Sequence, residues 1–169
     1  MHLIDANVLI TAHNDYYPTN RVPEFWTWVL HHAEHDRIKM PLELLEEVQA
    51  GTGDTEKDLL FDWLQKPGVS ETLLLEENVN STLLQDILDG GYAANLNDVE
   101  LETIGRDPFL MAYAFAKPQE RCVVTNEVRR PSAQRANRKI PDICDQFGLQ
   151  TCNAFRLIRK LDFSTSWNG

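Results

Sequence analysis

Long apolar runs are missing from this chain. Of its 169 residues 43% are hydrophobic, yet no stretch approaches the roughly 20 consecutive apolar residues a membrane span needs. A membrane partner is therefore not expected. A secretory leader is not expected either, because Asp5 and Asn7 interrupt what would be its apolar core. Cysteine is scarce. Cys122, Cys144 and Cys152 are odd in number and have no Cys-x-x-Cys spacing, which speaks against a disulfide framework and for reduced core thiols in a cytoplasmic protein. The only clustered glycines near a helix start, Gly51-Thr52-Gly53-Asp54, lack the Gly-Lys-Ser/Thr ending of a phosphate-binding loop. No repeat, low-complexity tract or linker is found, so one domain over residues 1–169 is expected.

Positive charge is also in deficit, with 16 Lys and Arg against 26 Asp and Glu, a net −10. That total disfavours a uniformly basic nucleic-acid surface, but the distribution is uneven. From Lys117 to Lys139 the stretch carries +5 and the remainder −15. A site of clustered acids that holds a divalent cation would raise the negative count without repelling a phosphate substrate.

Short apolar runs alternate with helical patterns, which predicts an α/β fold with a mainly parallel sheet flanked by helices. Strands are expected over residues 2–5, 38–40, 72–75, 121–125 and 149–152. Helices are expected over 23–35, 41–49, 56–65, 80–89, 109–117, 141–147 and 153–161. Gly90-Gly91 should stop one helix, and Asp107-Pro108 should open another with Asp at the cap and Pro in the first turn.

Four acids recur at element ends. Asp5 closes Leu3-Ile4-Asp5-Ala6-Asn7, Glu47 lies on the helix begun by Pro41, Asp107 starts a helix, and Glu127 follows a strand. In open α/β sheets chemistry collects at the carboxyl ends of strands. Converging carboxylates raise one another's pKa unless a counter-charge is present. Hard oxygen donors of this kind suit Mg²⁺ or Mn²⁺, which assist displacement at phosphorus.

The same segments resemble a family. Leu3-Ile4-Asp5-Ala6-Asn7 is similar to the opening motif of PIN-domain ribonucleases. Met40-Pro41-Leu42-Glu43-Leu44-Leu45-Glu46-Glu47-Val48 resembles the family's Pro-x-x-Val-x-x-Glu-Leu helix, and matching the Pro selects Glu47 over Glu43 and Glu46. Asp107-Pro108-Phe109-Leu110 resembles the helix supplying the third acid, and Val123-Val124-Thr125-Asn126-Glu127 the Val-Thr-x-Asp segment, with Glu127 where Asp is usual. The resemblance spans residues 2 to about 161, and the order and spacing of the motifs give it its specificity. It implies a PIN-like three-layer fold and a metal-dependent endoribonuclease, with Asp5, Glu47 and Asp107 as ligands and Glu127 or Asp142 as the fourth. The subgroup most resembled is found in toxin–antitoxin pairs, which implies RNA as substrate, a cognate antitoxin protein and a homodimer.

Asn7 and Thr125 are read as groups that orient carboxylates, and Arg129, Arg130, Arg135 and Arg138 as RNA-backbone contacts. Phe25, Trp26 and Trp28 are expected in the core or a dimer contact rather than stacked on bases. His31, His32 and His35 share a helix face, but His-His-x-x-His lacks a zincin Glu, so a solvated helix end is expected. The alternative function is a non-catalytic PIN-like module that binds RNA or protein. An aspartyl-phosphate phosphatase is a weak third reading, because the place of the second Asp it needs holds Asn7.

Overall fold

The computed structural model describes residues 1–50 and 59–167. Three strands are three-residue apolar or partly apolar runs: β1 (His2–Ile4), β3 (Cys122–Val124) and β4 (Gln150–Cys152), with the shorter β2 (Ile38–Lys39). They form one parallel sheet in the order β2-β1-β3-β4. β1 and β3 are buried at every residue, as strands covered on both faces must be. The fold is α/β, with helices flanking an all-parallel sheet.

This topology matters for the site. β1 sits centrally, with β2 on one side and β3 on the other. The chain therefore reverses its winding direction between β1 and β3, and the crevice outside their carboxyl ends is where such sheets hold ligands. Hydrogen bonds carry the ladder one residue past the strands. Asp5 N–H donates to Val124 O at 2.9 Å and Thr125 N–H to Cys152 O at 3.1 Å. Asp5 and Thr125 thus leave the sheet side by side.

After β1 come α1 (Ala6–Thr11), a π-helical turn (Ala12–Tyr16) and α2 (Pro23–Glu34). Pro23 occupies the first turn of α2, where its missing N–H costs nothing. Phe25, Trp26 and Trp28 point into the core, with Trp28 only 1% exposed. Trp26 meets Trp63 edge-on at 4.6 Å, and Phe25 stacks on Tyr17 at 4.4 Å. These rings are core, and neither base-stacking nor a dimer contact is open to Trp28.

α3 (Leu42–Ala50) follows Pro41, and α4 (Leu59–Leu64) lies beyond. The Gly51–Asp54 turn and the expected start of the helix at Glu56 fall outside the described residues. The strand expected over 72–75 is instead the end of α5 (Val69–Leu73), and only Leu74 bridges to Met40. Its β-like apolar run is used to bury Leu73 and Leu75 beside the sheet edge.

α6 (Ser81–Asp86) is capped by Asn80, which accepts from Thr82 and Leu83 N–H. It does not stop at the glycine pair but runs on as a π-helical turn, Ile87–Ala93. A Cβ at Gly91 would lie 2.8 Å from Ile143 Cγ2, so the glycine serves close packing rather than termination. α7 (Asp98–Ile104) was not anticipated, although Asn97 and Glu100 form a reciprocal capping box.

α8 (Asp107–Ala116) packs on β1 and against α3. Arg106 holds its cap position and Asp107 is its first residue, so Asp107 is not the cap that was expected. The last helices are α9 (Ile140–Gln146) and α10 (Ala154–Lys160), the latter capped by Asn153 as expected. Among the described residues no helix is long and apolar enough to cross a membrane.

Candidate functional site

The site is built outward from Asp5, which is 3% exposed. Its Oδ2 accepts from Thr125 Oγ1 at 2.8 Å and from the Asn7 side-chain amide. Asn7 N–H reaches Oδ1 at 3.4 Å, so Asp5 also caps α1, weakly. The cap uses Oδ1, whereas Thr125 and the Asn7 side chain both engage Oδ2. Thr125 accepts in turn from Glu127 N–H at 3.2 Å, and Asn7 Oδ1 from Asn126 N–H at 3.4 Å. Asn7 and Thr125 thus both hydrogen-bond the Asp5 carboxylate.

Glu47 and Glu127 lie close enough to Asp5 and Asp107 for their charges to act on both. Asp107 is pushed from 3.8 to about 8, first by burial and then by the charges of Asp5, Glu127 and Glu47. Asp5 rises to about 6, mainly by burial, against the hydrogen bonds from Thr125 and Asn7; Glu47 and Glu127 add to the rise. Burial also raises Glu47, which Arg106 partly offsets. The packing of α3 and α8 at the sheet edge explains this meeting, since it brings residues 47 and 107 toward the end of β1. Glu43 turns elsewhere, toward Tyr113.

Convergence here means a shared field. The described residues contain no three of these carboxylates with oxygens all within 4.8 Å; only His31, Glu34 and His35 meet that spacing. The acids also differ in their partners. Among the described residues no hydrogen bond engages the Asp107 carboxylate. Glu127 is engaged at both oxygens, by Lys139 Nζ at 2.6 Å and Ile140 N–H at 2.8 Å, and so caps α9. Asp142 accepts from Arg130 N–H at 2.7 Å and is not among the charges acting on Asp5 or Asp107.

The basic stretch is largely spent inside the molecule. Arg135 forks onto Glu100 at 2.5 and 2.7 Å and onto Asn95. Arg138 bonds Gly91 O and Gln146, and Arg129 pairs with Asp145 at 2.8 Å. Arg121, 2% exposed, is buried against Glu77 at 2.5 Å. Of the four arginines expected to contact RNA, only Arg130 keeps its side chain without a partner among the described residues. A polar cavity of about 380 Å³ adjoins Glu127 and Thr125, bounded by Arg129, Asn153 and Arg156.

One residue at the site was not anticipated. The Tyr92 hydroxyl is buried without a hydrogen-bond partner, and its pKa is raised by burial and then by Asp107 and Glu127. The Gly90-Gly91 stop signal hid it, because a helix ending there would leave Tyr92 in a loop.

The model of a family described as "Domain of unknown function (DUF4411)" matches residues 2–165. No curated protein and no solved structure matches the chain.

Proposed function

The chain belongs to the DUF4411 family, and we propose that it is a divalent-metal-dependent endoribonuclease. The single observation that carries this is the field shared by Asp5, Glu47, Asp107 and Glu127 outside the carboxyl end of β1. Four acids held against their own repulsion call for a cation, since removing the repulsion is worth several kcal/mol to the cluster. Their donors are all hard oxygens, which fits Mg²⁺ or Mn²⁺. Asp107 fits best, being half-buried and without a hydrogen bond among the described residues.

Asp5, Glu47 and Asp107 would hold the cation, with Glu127 nearby. When bound, the cation supplies a Lewis acid that offsets charge developing on the phosphodiester oxygens. The remaining work falls to the chain itself. Thr125 and Asn7 fix the Asp5 carboxylate, a constraint of the kind worth 10–100-fold in affinity or activity. Lys139 neutralises Glu127 and so limits repulsion of an incoming backbone. Arg156, which lines the cavity, and Arg130, whose side chain has no partner among the described residues, are the cations placed to meet phosphates. The order of the motifs, resembling that of PIN-domain ribonucleases, supports the same reading. By that resemblance the protein is a cytoplasmic toxin with a protein antitoxin, acting as a homodimer.

Asp5→Asn tests the proposal, with loss of RNA cleavage and an unchanged circular dichroism spectrum expected. Undiminished cleavage would end it. One observation favours a second reading, a non-cleaving RNA- or protein-binding module: Glu127 has no oxygen without a donor in the sheet-edge cluster. Glu127→Gln separates the two, because an enzyme loses turnover on that change and a binder loses at most loop stability.

A further inference from the structure

We propose that His31, Glu34 and His35 form a second metal site, specific for a borderline transition cation such as Zn²⁺, Ni²⁺ or Cu²⁺. It stands at the amino end of the parallel strands, opposite the carboxyl end that carries the acids. α2 delivers the chain to the start of β2 through a tight turn at Asp36 (φ 54°), whereas Asp5 follows the end of the parallel neighbour β1.

Three observations carry the site. One nitrogen from each histidine and one oxygen of Glu34 all lie within 4.8 Å of one another. This follows from helical spacing, because residues three and four apart share a face. A Zn–N bond of about 2.0–2.1 Å in tetrahedral geometry separates ligand atoms by roughly 3.3 Å. Glu34 is exposed and without a partner among the described residues, so its side chain has room to close to that spacing.

The second observation is the tautomer. His35 Nδ1 lies 2.7 Å from His31 O. A carbonyl only accepts, so Nδ1 carries the proton and Nε2 is left with its lone pair. Backbone anchoring of the non-ligating nitrogen is how histidine ligands are commonly oriented. No hydrogen bond or ion pair engages the Glu34 carboxylate among the described residues, so it is available as the third donor.

The third observation is a wall. The His31 ring lies 4.9 Å from that of Trp167, whose indole N–H donates to Glu24 O at 3.1 Å. Trp167 is thereby pinned to α2 and covers one side of the site. The rings of His31 and His35 are 4.6 Å apart. Two imidazoles and one carboxylate select borderline cations over Mg²⁺ and leave the remaining positions to water. The sequence expectation of a bare solvated helix end overlooked Glu34, which lies between the histidines on their own face.

The test uses the full chain without a polyhistidine tag. Zn²⁺ is titrated calorimetrically into wild type, His31→Gln/His35→Gln and Asp107→Asn, with Mg²⁺ in hundredfold excess. Cu²⁺ is titrated in parallel while tryptophan fluorescence is read. Wild type and Asp107→Asn should bind one Zn²⁺ equivalent that Mg²⁺ does not displace, and the double histidine variant should lose it by tenfold or more. Cu²⁺ should quench wild type, and Trp167→Phe should lose most of that quenching. Equal Zn²⁺ affinity in the double histidine variant, displacement by Mg²⁺, or quenching unaffected by Trp167→Phe would each overturn the site. The histidine substitutions lie on the exposed end of α2, and circular dichroism verifies that they leave the fold in place.

Discussion

Asp107→Asn should stabilise the metal-free protein at alkaline pH, although it removes a residue of the proposed site. Asp107 is pushed from 3.8 to about 8 by burial and by the neighbouring Asp5, Glu127 and Glu47. A carboxyl whose pKa is raised on folding binds its proton more tightly in the folded state, so stability falls as pH rises between the two values. The cost begins near pH 4, where the unfolded carboxyl ionises, and is complete above about pH 8. A shift of about 4 units at about 1.4 kcal/mol each bounds it at roughly 6 kcal/mol. Partial solvent access to the side chain reduces that to about 3 kcal/mol. Asn has nearly the same shape and no charge to lose. Urea unfolding in EDTA from pH 4 to 9 should therefore show the two proteins equal near pH 4, and the variant about 3 kcal/mol more stable at pH 9. His2 and His32, whose pKa values burial lowers, destabilise both proteins equally on acidification and cancel in the difference. A gap that does not vary with pH, or a variant less stable at pH 9, would refute the claim that Asp107 sits in an uncompensated acidic field.

Thr125→Val removes the donor to Asp5 Oδ2 and should lower RNA cleavage 10–100-fold with little change in circular dichroism. Glu77→Ala strands the buried Arg121 guanidinium and should cost about 3–5 kcal/mol in urea unfolding, whereas Glu77→Gln should cost less. Trp28→Ala, at a position 1% exposed, should cost about 3–5 kcal/mol by the same measurement. Arg130→Ala should weaken RNA binding and lower its salt slope by about 1. Arg135→Ala should instead lower the melting temperature, because its side chain is spent on Glu100 and Asn95.

Features that depend on a few neighbours along the chain were legible in the sequence. β1, the helix after Pro41, the Asn153 cap and the acids at element ends all follow from short apolar runs and local punctuation. Features decided by distant packing were not. Gly90-Gly91 reads as a stop, yet Ile143 presses so close to Gly91 that the helical path continues through it, and this carries Tyr92 inward beside Asp107. Residues 72–75 are apolar enough for a strand, but the sheet edge at β2 accepts only the single bridge at Leu74. Arg129, Arg135 and Arg138 look free in sequence because Asp145, Glu100 and Gln146, which bind them, are brought there by folding. Asn97-x-x-Glu100 was a local signal that could have revealed α7.

A Mn²⁺ titration followed by electron paramagnetic resonance reads out whether the acidic cluster holds a hard divalent cation. Wild type should bind Mn²⁺ in competition with Mg²⁺. Asp5→Asn and Asp107→Asn should each lose tenfold or more in affinity while remaining folded. Mn²⁺ affinity that neither substitution changes would show that the cation is not held by Asp5 and Asp107.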